Sequence, residues 1–266
     1  MLLVDQNNKI SAVVITANEE KNIERCLRSL IDLVDEIVVV DSFSEDKTIV
    51  LAESFGAKVI QHKFEGYVEQ KNYAITCASN EWVLSLDADE ALSEALKSAL
   101  VKAKDELKED VVYSVNRLNN FCGQWIKYCG WYPDVKLRLF HKSAGEWAGR
   151  NPHDKFIVKE GVGVERIKGD LLHYTFYTLE EHNKQIDKFS GIAAQAYYEK
   201  GIRSNALNLI FSPLFKFLRN YVVKLGFLDG YYGWLICIRS ARATYLKYDK
   251  LKKIQEIQQK SKSKIV

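Results

Sequence analysis

Asp87-Ala88-Asp89 follows the apolar run Trp-Val-Leu-Ser-Leu. Carboxylates one residue apart at the end of such a run both face a ligand once the chain turns out of a sheet. Together they suit a hard divalent cation that also takes phosphate oxygens. A polar turn or a helix start uses the same residues, so the motif gains its weight from its place, at the end of a fourth strand. A further carboxylate, Asp41, closes the run Ile-Val-Val-Val and opens Asp41-Ser42-Phe43-Ser44-Glu45-Asp46-Lys47-Thr48. There it can accept hydrogen bonds from a base or a ribose, leaving Ser44 or Asp46 to cap the helix that follows. Thr16-Ala17-Asn18-Glu19-Glu20 ends the first apolar run. It has no glycine-rich fingerprint, so neither a P-loop nor a dinucleotide site is indicated. Asn18 reads equally well as a helix cap and as a ligand contact.

These carboxylates need a scaffold that brings strand ends together. Apolar runs within 10–17 and 36–41 predict buried strands, and further strands are expected over 58–61 and 82–86. Segments 21–33, 46–55 and 69–78 carry helical spacing between them. Repeated strand–helix units imply a parallel sheet with right-handed crossovers, whose ligands sit at the carboxyl ends of the strands. A helix is expected over 93–105, then strands over 111–118 and 135–141 with aromatic, glycine-containing loops around them. An amphipathic helix is expected over 178–200. From Asn205 the chain is aromatic, apolar and basic, with a helical tendency, and its end from Lys250 is expected to fray.

Composition narrows the class. The 266 residues are 47% hydrophobic and 27% charged, with 3 prolines and 14 glycines, which is ordinary globular composition. The net charge of +3 hides an asymmetry. Of 38 basic and 35 acidic residues, thirteen and three fall after Ile202, so the body carries 25 against 32. A basic tail on an acidic body points to an anionic partner. The five cysteines contain no CxxC pair and read as reduced thiols. The first residues lack a basic segment followed by an apolar one, so no secretory signal is read. No uncharged apolar run approaches the roughly 20 residues that span a bilayer; the best candidate, 222–238, is broken by Lys224 and Asp229.

The four linked motifs resemble glycosyltransferase family 2, the inverting enzymes of GT-A fold. They are Val13–Glu20, Val38–Thr48, Gln70-Lys71-Asn72-Tyr73-Ala74 and Leu86-Asp87-Ala88-Asp89-Glu90, in order and at matching spacing. The resemblance implies that Thr16, Glu19 and Asp41 contact a nucleotide, that Lys71 approaches its pyrophosphate and that Asp89 ligates Mn2+ or Mg2+. Thr16 and Ala17 stand where the family has Pro and Tyr. The second half resembles the lipopolysaccharide inner-core β-glucosyltransferases, through Trp147, Asn151-Pro152-His153-Asp154-Lys155, Leu172-His173-Tyr174-Thr175 and Lys224–Gly230. Asp154 stands where that branch has Glu.

The resulting expectation is an α/β protein with a Rossmann-like, mostly parallel central sheet flanked by helices and a helical C-terminal extension. Residues 1–202 form the catalytic domain, with a nucleotide-sugar half over 1–105 and an acceptor half over 106–202; residues 203–266 form the extension. Donor contacts are assigned to Thr16, Asn18, Glu19, Asp41, Lys71 and Asp87. Asp89 is assigned to the metal, with His173 as a second ligand, a diphosphate contact or a helix-capping histidine. Asp154 is the base that takes the acceptor's proton, with His153 orienting substrate and Asp134 as competing base. Trp125, Trp131, Trp147 and Tyr132 are candidates to stack on sugars or to fill the core. Without a Gln-x-x-Arg-Trp motif, single addition is favoured over processive synthesis. The expected partners are a UDP-sugar, a saccharide or glycolipid acceptor and an anionic membrane surface, but no nucleic acid. The expected location is cytoplasmic, peripheral on the inner face of the cytoplasmic membrane. Against a sugar nucleotidyltransferase stands the lack of glycine in Thr16–Lys21; against a decayed, non-catalytic fold stand the intact carboxylates.

Overall fold

The computed structural model describes residues 8–150 and 153–263. The chain forms two compact units. The first holds residues up to Leu118 and Asp134–Tyr174; the second holds Asn119–Pro133 and everything from Thr175 on.

The first unit opens with β1 (Ile10–Thr16), α1 (Ile23–Leu30), β2 (Glu36–Asp41), α2 (Thr48–Ser54), β3 (Lys58–Gln61), α3 (Tyr67–Cys77) and β4 (Trp82–Asp87). These four strands are parallel, in the order β3-β2-β1-β4. Side chains alternate across the sheet with period two. Ala12 and Val14 join a core with Ile23, Leu27 and Leu30 of α1, while Val13 and Ile15 join the opposite core with Ala74 of α3. β1 has β2 on one side and β4 on the other, so the strand order reverses there. At such a reversal the helices leave toward opposite faces and open a crevice at the carboxyl ends.

Next come β5 (Glu90–Leu92), α4 (Glu94–Ala103), β6 (Val111–Phe121), β7 (Gln124–Ile126), β8 (Asp134–His141), β9 (Gly145–Arg150), β10 (His153–Val158) and β11 (Gly163–Phe176). The sheet continues from β4 through β8, β6 and β11 to β5, with antiparallel pairings of β4 to β8, β8 to β6, and β11 to β5. Together with β7, which pairs with β6, this makes nine strands. β9 and β10 form a separate antiparallel hairpin where a loop was expected. Asn151 and Pro152 lie outside the described residues.

The second unit adds α5 (Leu179–Glu199), α6 (Ala206–Leu218) and α7 (Gly230–Ser263). α5 starts with a capping box, in which Thr178 and Glu181 each bond the other's backbone N–H. A π-turn at Arg219–Val223 and a 3-10 turn at Gly226–Asp229 link α6 to α7. The core of this unit gathers Phe121, Ile126, Cys129, Phe176, Ile236 and Cys237. Helix continues to Ser263 where fraying from Lys250 was expected.

Candidate active site

Thr16 and Asp87 end β1 and β4, the two strands at the reversal, and register brings Ile15 opposite Asp87 and Thr16 opposite Asp41. A cavity of about 430 Å3 opens there. Thr16, Ala17, Glu19 and Ser42 line one part of it, Phe64, Tyr67 and Gln70 a second, and Asp87, Ala88, Asp89 and His173 a third. The Thr16 hydroxyl is buried with no hydrogen-bond partner. Burying such a group unpaired is costly, so the floor of the cavity carries a polar atom left for a ligand.

The two loops beside the cavity are tied together. Asn18 adopts a left-handed backbone, its N–H donates to the Ser44 hydroxyl at 2.8 Å, and its side-chain oxygen accepts from the Glu45 N–H at 2.9 Å. It caps neither helix; α1 is preceded by Asn22. The Glu19 N–H donates to Thr48 at 2.8 Å, and its carboxylate accepts from Asn22 at 2.7 Å. Burial raises the Glu19 pKa, and the nearby carboxylates of Asp89, Asp46 and Asp87 add to the rise. Asp41 is fully buried. Its carboxylate accepts from the Ser44 N–H at 2.8 Å and from the Ser44 hydroxyl. Asp41 thus holds the turn from beneath, while its neighbour Ser42 reaches the cavity.

The two carboxylates of the Asp-Ala-Asp motif diverge. Asp87 faces buried cations: Lys71 Nζ lies 3.0 Å from its Oδ1, and Arg138 Nη2 lies 3.0 Å from its Oδ2. Burial alone would raise its pKa, but Lys71 and Arg138 hold the carboxyl far below the usual range. Arg138 also reaches Glu90 at 2.5 Å, and Arg117 reaches the same Glu90 oxygen at 3.3 Å. Sequence reasoning missed Arg138 as a site residue. Its one signal is a cation inside the apolar run Leu-Arg-Leu-Phe of β8.

Asp89 points elsewhere, with its Oδ2 3.1 Å from His173 Nε2. His173 lies within β11, paired with Glu90 of β5, so it caps no helix. Among the described residues no group of three or more His, Cys, Asp or Glu side chains is arranged to hold a metal ion. The donor set is therefore one carboxylate and one imidazole. Such a pair fits a divalent cation that takes its remaining ligands from a diphosphate and water, rather than one caged by protein alone.

Lys71 does not line the cavity. It is buried, bridges Asp87 and Asp154 Oδ2 (2.8 Å), and lies 4.5 Å from the centre of the Trp147 ring. Trp147 is itself core, packed edge-on against Phe156. Asp154 sits on strand β10 rather than in a loop. The side chain of His153 lies outside the described residues. Asp134, the competing base, is held by Arg117 at 2.7 Å and by Lys136 at 2.9 Å. Burial would raise its pKa, but Arg117 and Lys136 lower it.

A family model for glycosyl transferase family 2 matches residues 11–160, the span that contains every side chain of this site except His173. An uncharacterized glycosyltransferase of Rickettsia typhi is 29% identical over 97% of this chain and 90% of its own. The lipopolysaccharide core biosynthesis glycosyltransferase LpsC of Rhizobium meliloti is 29% identical over 90% of this chain and 93% of its own. A crystal structure of glucosyl-3-phosphoglycerate synthase from Mycobacterium tuberculosis with Mn2+, UDP and glucosyl-3-phosphoglycerate overlaps in part, with 28% identity, a TM-score of 0.35, and coverage of 42% of this chain and 44% of that one. With the family's motifs arranged around one crevice and its model spanning more than half of the sequence, this chain belongs to glycosyltransferase family 2.

Proposed function

We propose that the protein is an inverting, metal-dependent hexosyltransferase, which moves a sugar, glucose in the first instance, from a UDP-sugar to a hydroxyl of a lipid-linked saccharide of the lipopolysaccharide-core type. The observation that carries this reading is the Asp89–His173 pair at 3.1 Å on the rim of a cavity whose floor holds the unpaired Thr16 hydroxyl. The Asp89–His173 pair suits a cation with a diphosphate, and the lining from Thr16, Ala17 and Glu19 suits a nucleoside. Similarity to LpsC supports the acceptor class. A lipid-linked acceptor puts the reaction at the inner face of the cytoplasmic membrane.

Asp89 and His173 would hold Mn2+ or Mg2+, which when bound offsets the charge growing on the leaving diphosphate. Glu19 and Thr16 contact the nucleoside, and Asn18, tying the two loops together, keeps that wall in place. Asp41 supports the same wall through Ser44. Lys71, fixed between Asp87 and Asp154, holds the donor-side and acceptor-side carboxylates in register. Asp154 accepts the acceptor's hydroxyl proton. The freed oxygen bonds to the anomeric carbon as the bond from that carbon to the diphosphate oxygen breaks, and UDP leaves. The transfer is one displacement, with inversion and no covalent enzyme intermediate.

UDP release from a panel of UDP-sugars, with a lipopolysaccharide-core acceptor, tests the reading. Activity should vanish with EDTA and in Asp89→Ala, which should also lose donor affinity. Full turnover in either case sinks the metal role, and no UDP-sugar used at all sinks the reaction.

A further inference from the structure

α6 is turned the opposite way from a helix that packs on a core. Leu207, Ile210, Phe211, Leu214, Phe215 and Leu218 recur at helical spacing and form one stripe. That stripe faces outward, each residue being between 46% and 67% exposed. Asn208, Ser212 and Lys216 lie on the half-buried side, and no residue of the helix is fully buried. Past the helix the exposed apolar surface continues with Val222, Val223, Phe227, Leu228, Tyr231 and Trp234. Single apolar residues on a surface are ordinary, but a run of large ones this long marks a binding face.

Charge selects the partner. From Gly201 to Leu228 the chain has no Asp or Glu, while it carries Arg203, Lys216, Arg219 and Lys224. Arg203, Arg219 and Lys224 are exposed. Basic residues farther along, on α7, are engaged inside the unit: Lys250 pairs with Asp187 at 2.7 Å, and Lys247 donates to the Tyr197 hydroxyl at 3.0 Å.

We propose that this face of the second unit seats in the surface of an anionic lipid bilayer, with α6 lying in the plane, its apolar stripe at the acyl boundary, and Arg203, Arg219 and Lys224 among the phosphate headgroups. Among the described residues no helix is long and apolar enough to cross a membrane, so the segment lies on the bilayer and does not span it. Tyr231 and Trp234 have the apolar body and polar edge that collect at membrane–water boundaries. A second copy of the chain is a poorer occupant. Two-fold pairing of the stripe would bring the cations at its ends toward those of the other copy, and no carboxylate in the segment would answer them. The inference deepens the lipid-linked reading but rests on the second unit alone, so vesicle binding is read without any sugar substrate.

Co-sedimentation of the full chain with vesicles of phosphatidylcholine, and with vesicles that also contain phosphatidylglycerol, tests it. The chain should pellet with the anionic vesicles, less so at high salt. Phe211→Ser with Phe215→Ser alters only exposed positions; with unchanged circular dichroism it should lose about tenfold or more in binding. Arg203→Gln, Arg219→Gln and Lys224→Gln together should remove roughly a hundredfold of the anionic preference. A wild-type chain that stays in the supernatant, that binds both vesicle types equally, or that the phenylalanine changes leave unaffected overturns the proposal. So does a dimer in solution that the phenylalanine changes disperse while vesicles bind nothing, which would assign the face to a second copy.

Discussion

At the scale of single residues, each member of the Asp-Ala-Asp motif does a different job. Asp87 is held by buried cations, and Asp89 is left with one imidazole. Two protein donors make a weak site for a hard cation unless phosphate oxygens complete it. Mn2+ binding measured by calorimetry should therefore be weak in the free protein and strengthen when UDP is added, and His173→Ala should remove most of that gain. Equal Mn2+ affinity with and without UDP would contradict the shared site. The base is tested by Asp154→Asn, which keeps shape and removes charge. It should bind donor nearly normally and lose roughly 10²–10⁴-fold in transfer rate. Both changes break an ion pair, of Asp154 with Lys71 and of Asp134 with Arg117 and Lys136, so unfolding is measured beside rate for each, and for Asp134→Asn the loss should appear in stability without a loss of rate. Normal turnover by Asp154→Asn with a dead but folded Asp134→Asn reverses the assignment.

Elements carry the charges that the residues need. β4, β5 and β8 bring Asp87, Glu90 and Arg138 into one buried network. Removing Arg138 leaves Asp87 with Lys71 alone and Glu90 with only the longer contact to Arg117, so Arg138→Met should cost about 3–5 kcal/mol in denaturant unfolding; a loss under about 1 kcal/mol would show that the network relaxes or hydrates. β11 meets α4 at Gly169, whose left-handed φ of 110° and lack of a side chain let the backbone of Leu96 approach to 2.5 Å of where a Cβ would stand. Gly169→Ala should destabilise by about 1–3 kcal/mol, and a neutral result would mean that β11 shifts freely. β11 and the β9–β10 hairpin escaped the sequence reading for a physical reason. Their residues mix charges, glycines and aromatics, so alternation is faint; β9 and β10 pair with each other, and β11 finds a partner in β5, far earlier in the chain. β1, β2 and β4 were legible because both of their faces are buried over most of their length, which favours runs of Val, Ile and Leu, while the edge strand β3 shows only the pair Val59-Ile60.

At the scale of the whole molecule, acid should act through the second unit's core. His182 is surrounded by the rings of Phe121, Phe176 and Trp131. Burial, with help from Arg239, pushes its pKa down to about 4. The unfolded chain protonates such a histidine near pH 6.5, so between these values the unfolded state binds more protons than the folded one. The stability is complete above about pH 6.5 and is lost as pH falls toward 4. Denaturant midpoints followed by near-ultraviolet circular dichroism should drop across that window, and His182→Gln should flatten the drop; an unchanged slope would place the acid sensitivity elsewhere. The sequence by itself determined the parallel half of the sheet, the family, and the carboxylates at the strand ends, since strand burial and linked motifs are written in consecutive residues. Only the tertiary structure decided what those carboxylates face. Lys71 meets Asp154 across 83 positions and Asp89 meets His173 across 84, and α6 turns its apolar stripe outward. Periodicity shows that a helix has an apolar face and charge shows that a residue needs a partner, but which neighbour each one finds depends on the packing of segments far apart in the chain.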